Sequence, residues 1–262
     1  MISADKLNAF KGWLKNYVET FYKSDEKNKI IYRIKYEHSL RVCEEIIDIG
    51  FHCDMPQSQL RLAELIALFH DLGRFEQFHK YSTFSDVKSV NHAFLAIKIL
   101  KEHRLFAGFD EDLINLIYTA IENHNIRTIP HDVIGDGLFF SKLLRDADKI
   151  DIFKVVTDYY VNKTFRNEAI ELDLPDLPEI LEDNYLDVES GRLIKKENLR
   201  TLNDFKLMQI SWLFDVNFER TFEIIKERSY LDKIFAVLPK NNKIENVKKF
   251  VFAYLQNVNV NQ

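Results

Sequence analysis

Apolar residues recur at steps of three and four along most of this chain, which is the periodicity of amphipathic helices. Residues 60–69 are apolar on nearly every side, and this predicts an interior helix. Pro56 lies where that helix would begin, and Gly73 lies where it would terminate. Two earlier helices are predicted over 4–23 and 30–50. The apolar residues of the first are Leu7, Phe10, Leu14, Tyr17, Val18 and Phe21.

The central part of the chain alternates between loops and helices. Residues 74–90 are polar and aromatic, and their pattern predicts a loop that follows the interior helix. Helices are then predicted over about 90–104, 111–124 and 137–163. Asp110 is a suitable N-cap for the second of these helices, because its carboxylate can accept from the first free backbone N–H groups.

The stretch 171–201 breaks the helical rhythm. Its prolines, acidic residues and Ser190–Gly191 turn predict an irregular insert with a short hairpin, expected to be a surface excursion. The alternatives of a lid or a dimer contact stay open. Helical spacing resumes over 203–238 and 241–256.

Composition supports the same fold class. Of 262 residues, 46% are hydrophobic, which is enough for a full core, and only 7 are Gly and 5 Pro. Such sparse turn chemistry favours long helices over many short strands. We predict an all-α fold, and a single domain over 1–262. Its helical core would cover about 30–160, with a helical C-terminal extension over about 161–262.

Charge and cysteine content limit the classes of partner. The net charge of −5 provides no basic field, so a nucleic-acid polymer is not an expected partner. Cys43 and Cys53 form no paired metal pattern, and reduced intracellular thiols are expected. The chain has no apolar run of roughly 18 residues, so a membrane is not expected as a partner either. The sequence predicts a soluble cytoplasmic protein and leaves open whether it forms a homo-oligomer.

The adjacent His70 and Asp71 are the first sign of chemistry, because an imidazole beside a carboxylate suits a metal ion better than a core. Neighbouring helical residues point about 100° apart, so both can reach one ion only near the end of a helix. Imidazole and carboxylate ligands suit Mn, Fe, Co, Ni or Zn. Further candidate ligands, all on predicted helices, are His38, His92, His124 and Asp148. The other histidines, His52, His79, His103 and His131, are expected to be bystanders.

The last acidic ligand is not fixed by the residues alone, because LLRDADKID contains Asp146, Asp148 and Asp151. Asp151 is a candidate to support a ligand, or else a solvated carboxylate. Arg74 and Lys149 follow candidate ligands closely in the sequence and are candidates to contact an anion, or else surface charges; a guanidinium can bind an anion such as phosphate through two hydrogen bonds.

Four motifs carry a resemblance to a known family: FHDLGRFEQF, YSTFSDVKSVNHA, AIENHN and FSKLLRDADKIDIFK. Together with the order His, His-Asp, His, His, Asp, they resemble the HD-domain superfamily of metal-dependent phosphohydrolases, and one bacterial subgroup in particular. The resemblance implies an HD-type helical bundle with extra C-terminal helices. It implies that His92 and His124 bind a second metal ion, that Asp71 bridges the two ions, and that Asp148 is the last ligand.

The implied function is hydrolysis of a small phosphate ester, such as a nucleotide, by attack of metal-bound hydroxide. The cofactor would be a divalent transition metal, with two ions per site. Asp71, Arg74 and Lys149 are the catalytic candidates. Two alternatives stay open: a di-iron oxygenase of HD type, and a non-catalytic module that binds a nucleotide for regulation.

Overall fold

A computed structural model describes residues 2–162, 171–172 and 174–258 of the chain. These residues contain helices and no strand, which confirms the all-α fold. They form two compact units, Met1–Asp151 and Ile152–Gln262. The single-domain organisation stays a prediction. Across the described ranges, no helix combines the length and the apolar character needed to cross a bilayer.

The first unit is built around α3, whose side chains from Leu60 to Phe69 are buried apart from Arg61 and Glu64. This confirms the predicted interior helix, and α2 packs along it. Pro56 is the N-cap residue of α3, in extended conformation. The helices of this part of the chain are α1 (Ala4–Ser24), α2 (Lys29–His52), α3 (Gln57–Phe69), α4 (Gly73–Tyr81), α5 (His92–Glu102), α6 (Glu111–Asn123) and α7 (Gly135–Asn162), the last of which continues into the second unit.

The predicted loop over 74–90 is wrong in its first half, because Gly73–Tyr81 forms α4. Gly73 does not terminate α3; it begins α4, at a place where α4 approaches α5 closely. A Cβ on Gly73 would lie 2.1 Å from the carbonyl oxygen of His92 and 2.8 Å from the backbone nitrogen of Ala96. The glycine is therefore required by helix packing, not by a turn, and sequence periodicity does not distinguish the two cases.

Within the described residues, the second unit contains the rest of α7 and five shorter α-helices. Three of these five helices lie in the stretch 203–238, for which the spacing predicts helix, and short breaks separate them. The last helix corresponds to the predicted helix at 241–256. The predicted helix end at residue 163 lies outside the described residues, as does residue 173. The five helices are α8 (Glu182–Glu189), α9 (Leu202–Ser211), α10 (Glu219–Glu227), α11 (Tyr230–Ala236) and α12 (Asn242–Asn257).

The predicted hairpin within 171–201 is wrong, because the described part of this stretch contains α8 and no strand. Asp204, in the first turn of α9, is buried and organises the stretch. Its carboxylate accepts hydrogen bonds from the backbone N–H of Leu181 and of Thr201 and from the Asn184 side chain, at 2.7–3.0 Å. The hydrogen bonds that hold this stretch together thus converge on one buried carboxylate, whereas a hairpin would pair two strands.

Candidate metal centre

Six histidine and aspartate side chains of the first unit converge on one place from different helices. Five of the six are buried, and the sixth is half-buried. They are His38 in α2, His70 and Asp71 in the turn after α3, His92 at the start of α5, His124 directly after α6, and Asp148 in α7.

Helix ends place three of these ligands. Asn91 is the N-cap of α5, and its side chain accepts from the backbone N–H groups of the first turn, so that His92 is the first helical residue. Asp110 is the N-cap of α6, as predicted, and His124 is the C-cap residue at the other end of the same helix. His70 is the C-cap residue of α3. A position at a helix end lets a side chain reach beyond the helical surface.

Asp71 lies between two pairs of histidines and turns one carboxylate oxygen to each. Its Oδ2 is 3.5 Å from His38 Nε2 and 3.8 Å from His70 Nε2. Its Oδ1 is 3.3 Å from His92 Nε2 and 3.9 Å from His124 Nε2. We call His38, His70, Asp148 and Asp71 Oδ2 the His38 half-site, and His92, His124 and Asp71 Oδ1 the His92 half-site.

One histidine of each half-site is oriented by a carboxylate that an arginine also binds. His38 Nδ1 lies 2.6 Å from Asp151 Oδ2, and Arg41 donates to both oxygens of Asp151 at 2.5 and 3.0 Å. His92 Nδ1 lies 2.8–2.9 Å from the two oxygens of Asp86. These contacts fix the orientation of each ring and leave its Nε2 directed at Asp71.

The other histidine of each half-site is oriented by the helix that precedes it. His70 Nδ1 lies 2.7 Å from the carbonyl oxygen of Ala67, and His124 Nδ1 lies 2.5 Å from that of Ile121. Both contacts span three residues at the end of a helix, where the last carbonyl groups can accept further hydrogen bonds. A carbonyl oxygen can only accept, so Nδ1 carries the proton and Nε2 presents a lone pair.

This arrangement fits divalent metal ions. The Nε2 atoms of His38 and His70 are 3.3 Å apart, and those of His92 and His124 are 3.0 Å apart. Lone pairs that face each other at such distances in a buried site repel unless a proton or a cation lies between them. Asp148 Oδ1 is buried, and its neighbours in the described part of the chain are the Nε2 atoms of His38 and His70, at 3.2 and 3.8 Å, so it too faces the place where a cation would lie.

Metal-ligand geometry divides the donors into three overlapping sets among the described residues. Within each set the ligand atoms lie within 4.8 Å of one another. Asp148 takes part and Asp146 does not. The sets are His38, His70 and Asp71; Asp71, His92 and His124; and His70, His124 and Asp148.

Asp148 and Asp151 lie on one face of α7 and have different surroundings. Asp148 Oδ1 lies 3.2 Å from His38 Nε2 and 3.8 Å from His70 Nε2. Asp151 is fully buried behind His38, so it is not a solvated carboxylate. Asp148 and Asp151 therefore contact different nitrogens of His38, and the sequence alone leaves their two roles open.

Charge around Asp71 favours its ionised form. Burial alone would raise the pKa of Asp71, but the positive charges around it, Lys35 first among them, hold the pKa well below its usual range. Burial and the positive charge of Lys35 would by themselves lower the pKa of His38. The carboxylates of Asp148 and Asp151 outweigh both and raise the His38 pKa to about 9.

The histidines of the His92 half-site have the opposite shift. Burial, with the positive charge of Arg74, lowers the pKa of His92 to about 4. Burial, with the charges of His92 and His70, lowers the pKa of His124 to about 3. Both rings are therefore neutral at neutral pH, which is the state that binds a metal ion.

Arg74 is held in place by the segment that follows α4. Its Nη1 donates to Gln77 Oε1, to the Phe84 carbonyl oxygen and to Asp86 Oδ1, at 2.5–3.1 Å, and its Nε lies 3.4 Å from Asp71 Oδ1. The fully buried Gln77 donates to Asp86 as well. Arg74 thus lies beside Asp71, and its Nη1 binds the segment that carries Asp86.

Lys149 follows Asp148 in α7, and its ammonium group donates to the Arg145 carbonyl oxygen at 3.5 Å. Arg145 is buried and donates to the carbonyl oxygens of Asn123 and His124 at 3.0 and 3.4 Å. It therefore supports the segment that carries a ligand. Asn125 Nδ2 lies within 3.3 Å of Asp86 Oδ2 and of His92 Nδ1.

Two charged residues of the centre were missed by the sequence reasoning. Lys35 Nζ lies 3.0 Å from Asp71 Oδ2. Its position one helical turn before His38, on the same face, is a signal that could have found it. Asp86 lies in a segment predicted as loop, six residues before His92, and no spacing rule indicates its role.

Residues 36–162 match the family described as the HD domain. The match covers close to half of the chain and contains every ligand candidate, and it agrees with the predicted core at about 30–160. No curated protein and no solved structure matches this chain.

Proposed function

Because this chain belongs to the HD-domain superfamily, we propose that it is a metal-dependent phosphohydrolase that acts on a small phosphate ester. The observation that carries the proposal is the position of Asp71. This one buried carboxylate directs separate oxygens to two histidine pairs whose Nε2 atoms converge. Such an arrangement suits two metal ions that share a carboxylate.

Each half-site has a defined set of donors under this proposal. His38, His70 and Asp71 Oδ2 would hold one ion together with Asp148, whose Oδ1 lies 3.2 Å from His38 Nε2 and 3.8 Å from His70 Nε2. His92, His124 and Asp71 Oδ1 would hold the other. When bound, divalent ions of this kind supply an activated water molecule and polarise the phosphoryl group. The ligand types suit Mn, Fe, Co, Ni and Zn alike, so the metal must come from measurement.

The chain's own residues would orient the metal ligands and stabilise negative charge on the substrate. Asp71 is the shared ligand, and Arg74, beside Asp71 Oδ1, would stabilise negative charge on the phosphoryl oxygens. Lys149 is a second cationic candidate, adjacent in sequence to Asp148. Asp151 and Asp86 would hold the tautomers of His38 and His92, so that both Nε2 atoms remain available.

The substrate would be a small phosphate-containing molecule and not a nucleic-acid polymer. The chain has a net charge of −5, which does not favour a polyanion, and Lys35 and Arg74 place positive charge beside Asp71. A cytoplasmic location and the oligomeric state stay predictions.

The test combines metal content with two activity assays. The protein is stripped with a chelator and reconstituted with Mn²⁺ or Fe²⁺, and metal per chain is measured by mass spectrometry. Release of phosphate from nucleotides and simple phosphate monoesters is measured beside oxygen uptake. His92→Ala should lose one ion and the phosphate release, whereas the matched variant His131→Ala, at an exposed histidine, should keep both.

The outcomes separate the candidate functions. Two ions with phosphate release would support the proposal. Oxygen consumption restricted to iron, without phosphate release, would replace it with the oxygenase. Nucleotide binding without turnover across all the metals would replace it with a regulatory module. No bound metal at saturation would contradict any metal-dependent enzymatic function.

A further inference from the structure

Lys35 differs from the other residues of the centre, because its ammonium group contacts the shared ligand while its side chain is partly exposed. Its Nζ lies 3.0 Å from Asp71 Oδ2, and its side chain is 23% exposed, against 5% for Asp71. The aliphatic stem leads to an ammonium group 5.4 Å from the centroid of the Phe84 ring. Lys35 is therefore the member of this pair that solvent reaches more easily.

Arg74, the other cation beside Asp71, has a different environment. Its Nη1 is bound to three acceptors, on Gln77, Phe84 and Asp86, and its side chain is 16% exposed. These contacts fix the position of the Arg74 guanidinium through Nη1, so Arg74 can offer a ligand only the N–H groups that this segment leaves unused. Among the described residues, Asp71 is the only hydrogen-bond partner of the Lys35 ammonium group, so Lys35 can exchange it at the cost of one contact.

Asp71 Oδ2 is the atom for which Lys35 and the His38 half-site compete. The same oxygen faces His38 Nε2 and His70 Nε2 at 3.5 and 3.8 Å. A metal cation held by these three donors would lie beside the same carboxylate oxygen as the Lys35 ammonium group. Both would carry positive charge. Repulsion would then favour movement of the long, flexible lysine side chain toward solvent, where an anion could bind it.

We propose that Lys35 is a phosphate-binding residue of this centre, which exchanges Asp71 for an oxygen of the substrate's phosphoryl group. The inference rests on the proposed function, because it names the group that receives the substrate. It assigns to Lys35, and not only to Arg74, the direct contact with phosphate. Lysine suits this task as a compact point charge on a flexible stem.

Inorganic phosphate is the probe, titrated by calorimetry into the full-length protein loaded with Mn²⁺. Lys35→Met removes the charge and keeps most of the stem, and it should weaken phosphate binding roughly tenfold or more, as loss of a charge-assisted hydrogen bond does. Lys35→Arg should retain binding within about threefold, since it keeps the charge. Lys98→Met is the matched control at an exposed lysine of α5, and it should bind phosphate like the wild type.

Metal content and helical circular dichroism of each variant complete the experiment, and Lys35→Gln repeats the test if Lys35→Met folds poorly. Weaker phosphate binding with unchanged Mn²⁺ content would support the inference. Unchanged phosphate binding would overturn it. Loss of Mn²⁺ in Lys35→Met would also overturn it, because Lys35 would then support Asp71 and not the substrate.

The two proposals can fail separately. A wild-type protein that binds phosphate through Lys35 but hydrolyses no ester would remove the proposed function and leave the inference standing. A protein that hydrolyses esters while Lys35→Met binds phosphate normally would remove only the inference. A wild-type protein that binds no phosphate would overturn the inference in either case.

Discussion

The His38 half-site and the His92 half-site have the same plan and rest on different supports. In each, one histidine is oriented by a carboxylate bound to an arginine, and the other by a helix-end carbonyl. The carboxylate behind His38 is Asp151, which is fully buried on the long helix α7. The carboxylate behind His92 is Asp86, whose side chain is 28% exposed and lies in the segment between α4 and α5.

This difference shows two ways to hold a ligand. A helical position fixes Asp151 through the regular backbone, and only Arg41 is needed beside it. A position outside the long helices needs many local contacts, and Asp86 receives them from Arg74 and Gln77. We therefore expect the His38 half-site to tolerate changes in the 82–91 segment and the His92 half-site to depend on it.

The largest effect is expected for Asp71→Ala, because Asp71 belongs to both half-sites. Metal content should fall below one ion per chain, and metal-dependent turnover should fall to the background. Elemental analysis and phosphate-release assays measure the two quantities. Asp132→Ala, at an exposed aspartate, is the matched control. Retained turnover with full metal content would remove Asp71 from the centre.

The next effect is expected for the two orienting carboxylates. Loss of such a partner typically weakens metal binding about 10- to 100-fold. Asp151→Ala should weaken the His38 half-site and cost about 1–3 kcal/mol of stability, because it leaves His38 and Arg41 without their buried acceptor. Asp86→Ala should weaken the His92 half-site with a smaller loss of stability, since Asp86 is partly exposed.

Calorimetric titration with Mn²⁺ and thermal unfolding separate these two variants. Each should lose affinity at one of two sites. Equal loss at both sites in both variants would show that the half-sites are not independent, and the comparison between them would then fail.

The helical fold and the ligand types could be predicted from the sequence, because helical periodicity and metal-binding side chains are local properties. The role of Gly73 could not, since it depends on the backbone of His92, a distant residue in the chain. Asp86 and Lys35 were missed for the same reason: their partners, His92 and Asp71, are brought to them by packing. Only the family resemblance separates Asp148 from Asp146 in the sequence, and the structure places Asp148, not Asp146, among the donors.

A smaller effect is expected for Gly73→Ala, which tests the contact between α4 and α5. The added Cβ would meet the carbonyl oxygen of His92 at 2.1 Å, so the two helices must separate. Overpacking of this kind costs about 1–3 kcal/mol. We expect a lower unfolding temperature and weaker metal binding at the His92 half-site, measured by calorimetry.

Gly12→Ala is the control for that substitution. Gly12 is an exposed position of α1, and a Cβ added there would meet no atom within 4 Å. Alanine should therefore raise stability by up to about 1 kcal/mol through helix propensity. A loss of stability in Gly12→Ala similar to that of Gly73→Ala would remove the argument from close packing.

A last difference concerns the pH dependence of metal binding, which should differ between the half-sites. The pKa of His38 is raised to about 9, so its proton must leave when a metal binds, and affinity should rise with pH up to about 9, by at most about tenfold per unit. His92 and His124, with pKa values lowered to about 4 and 3, are already neutral above pH 6, so the metal affinity of the His92 half-site should not change with pH there.

Asp86→Ala keeps the His38 half-site and Asp151→Ala keeps the His92 half-site. Mn²⁺ titrations of both variants between pH 6 and 8.5 therefore compare how steeply the affinity of each half-site changes with pH. Equal slopes would mean that Asp148 and Asp151 do not raise the pKa of His38 above that of His92. The different supports of the two half-sites would then have no effect on metal binding.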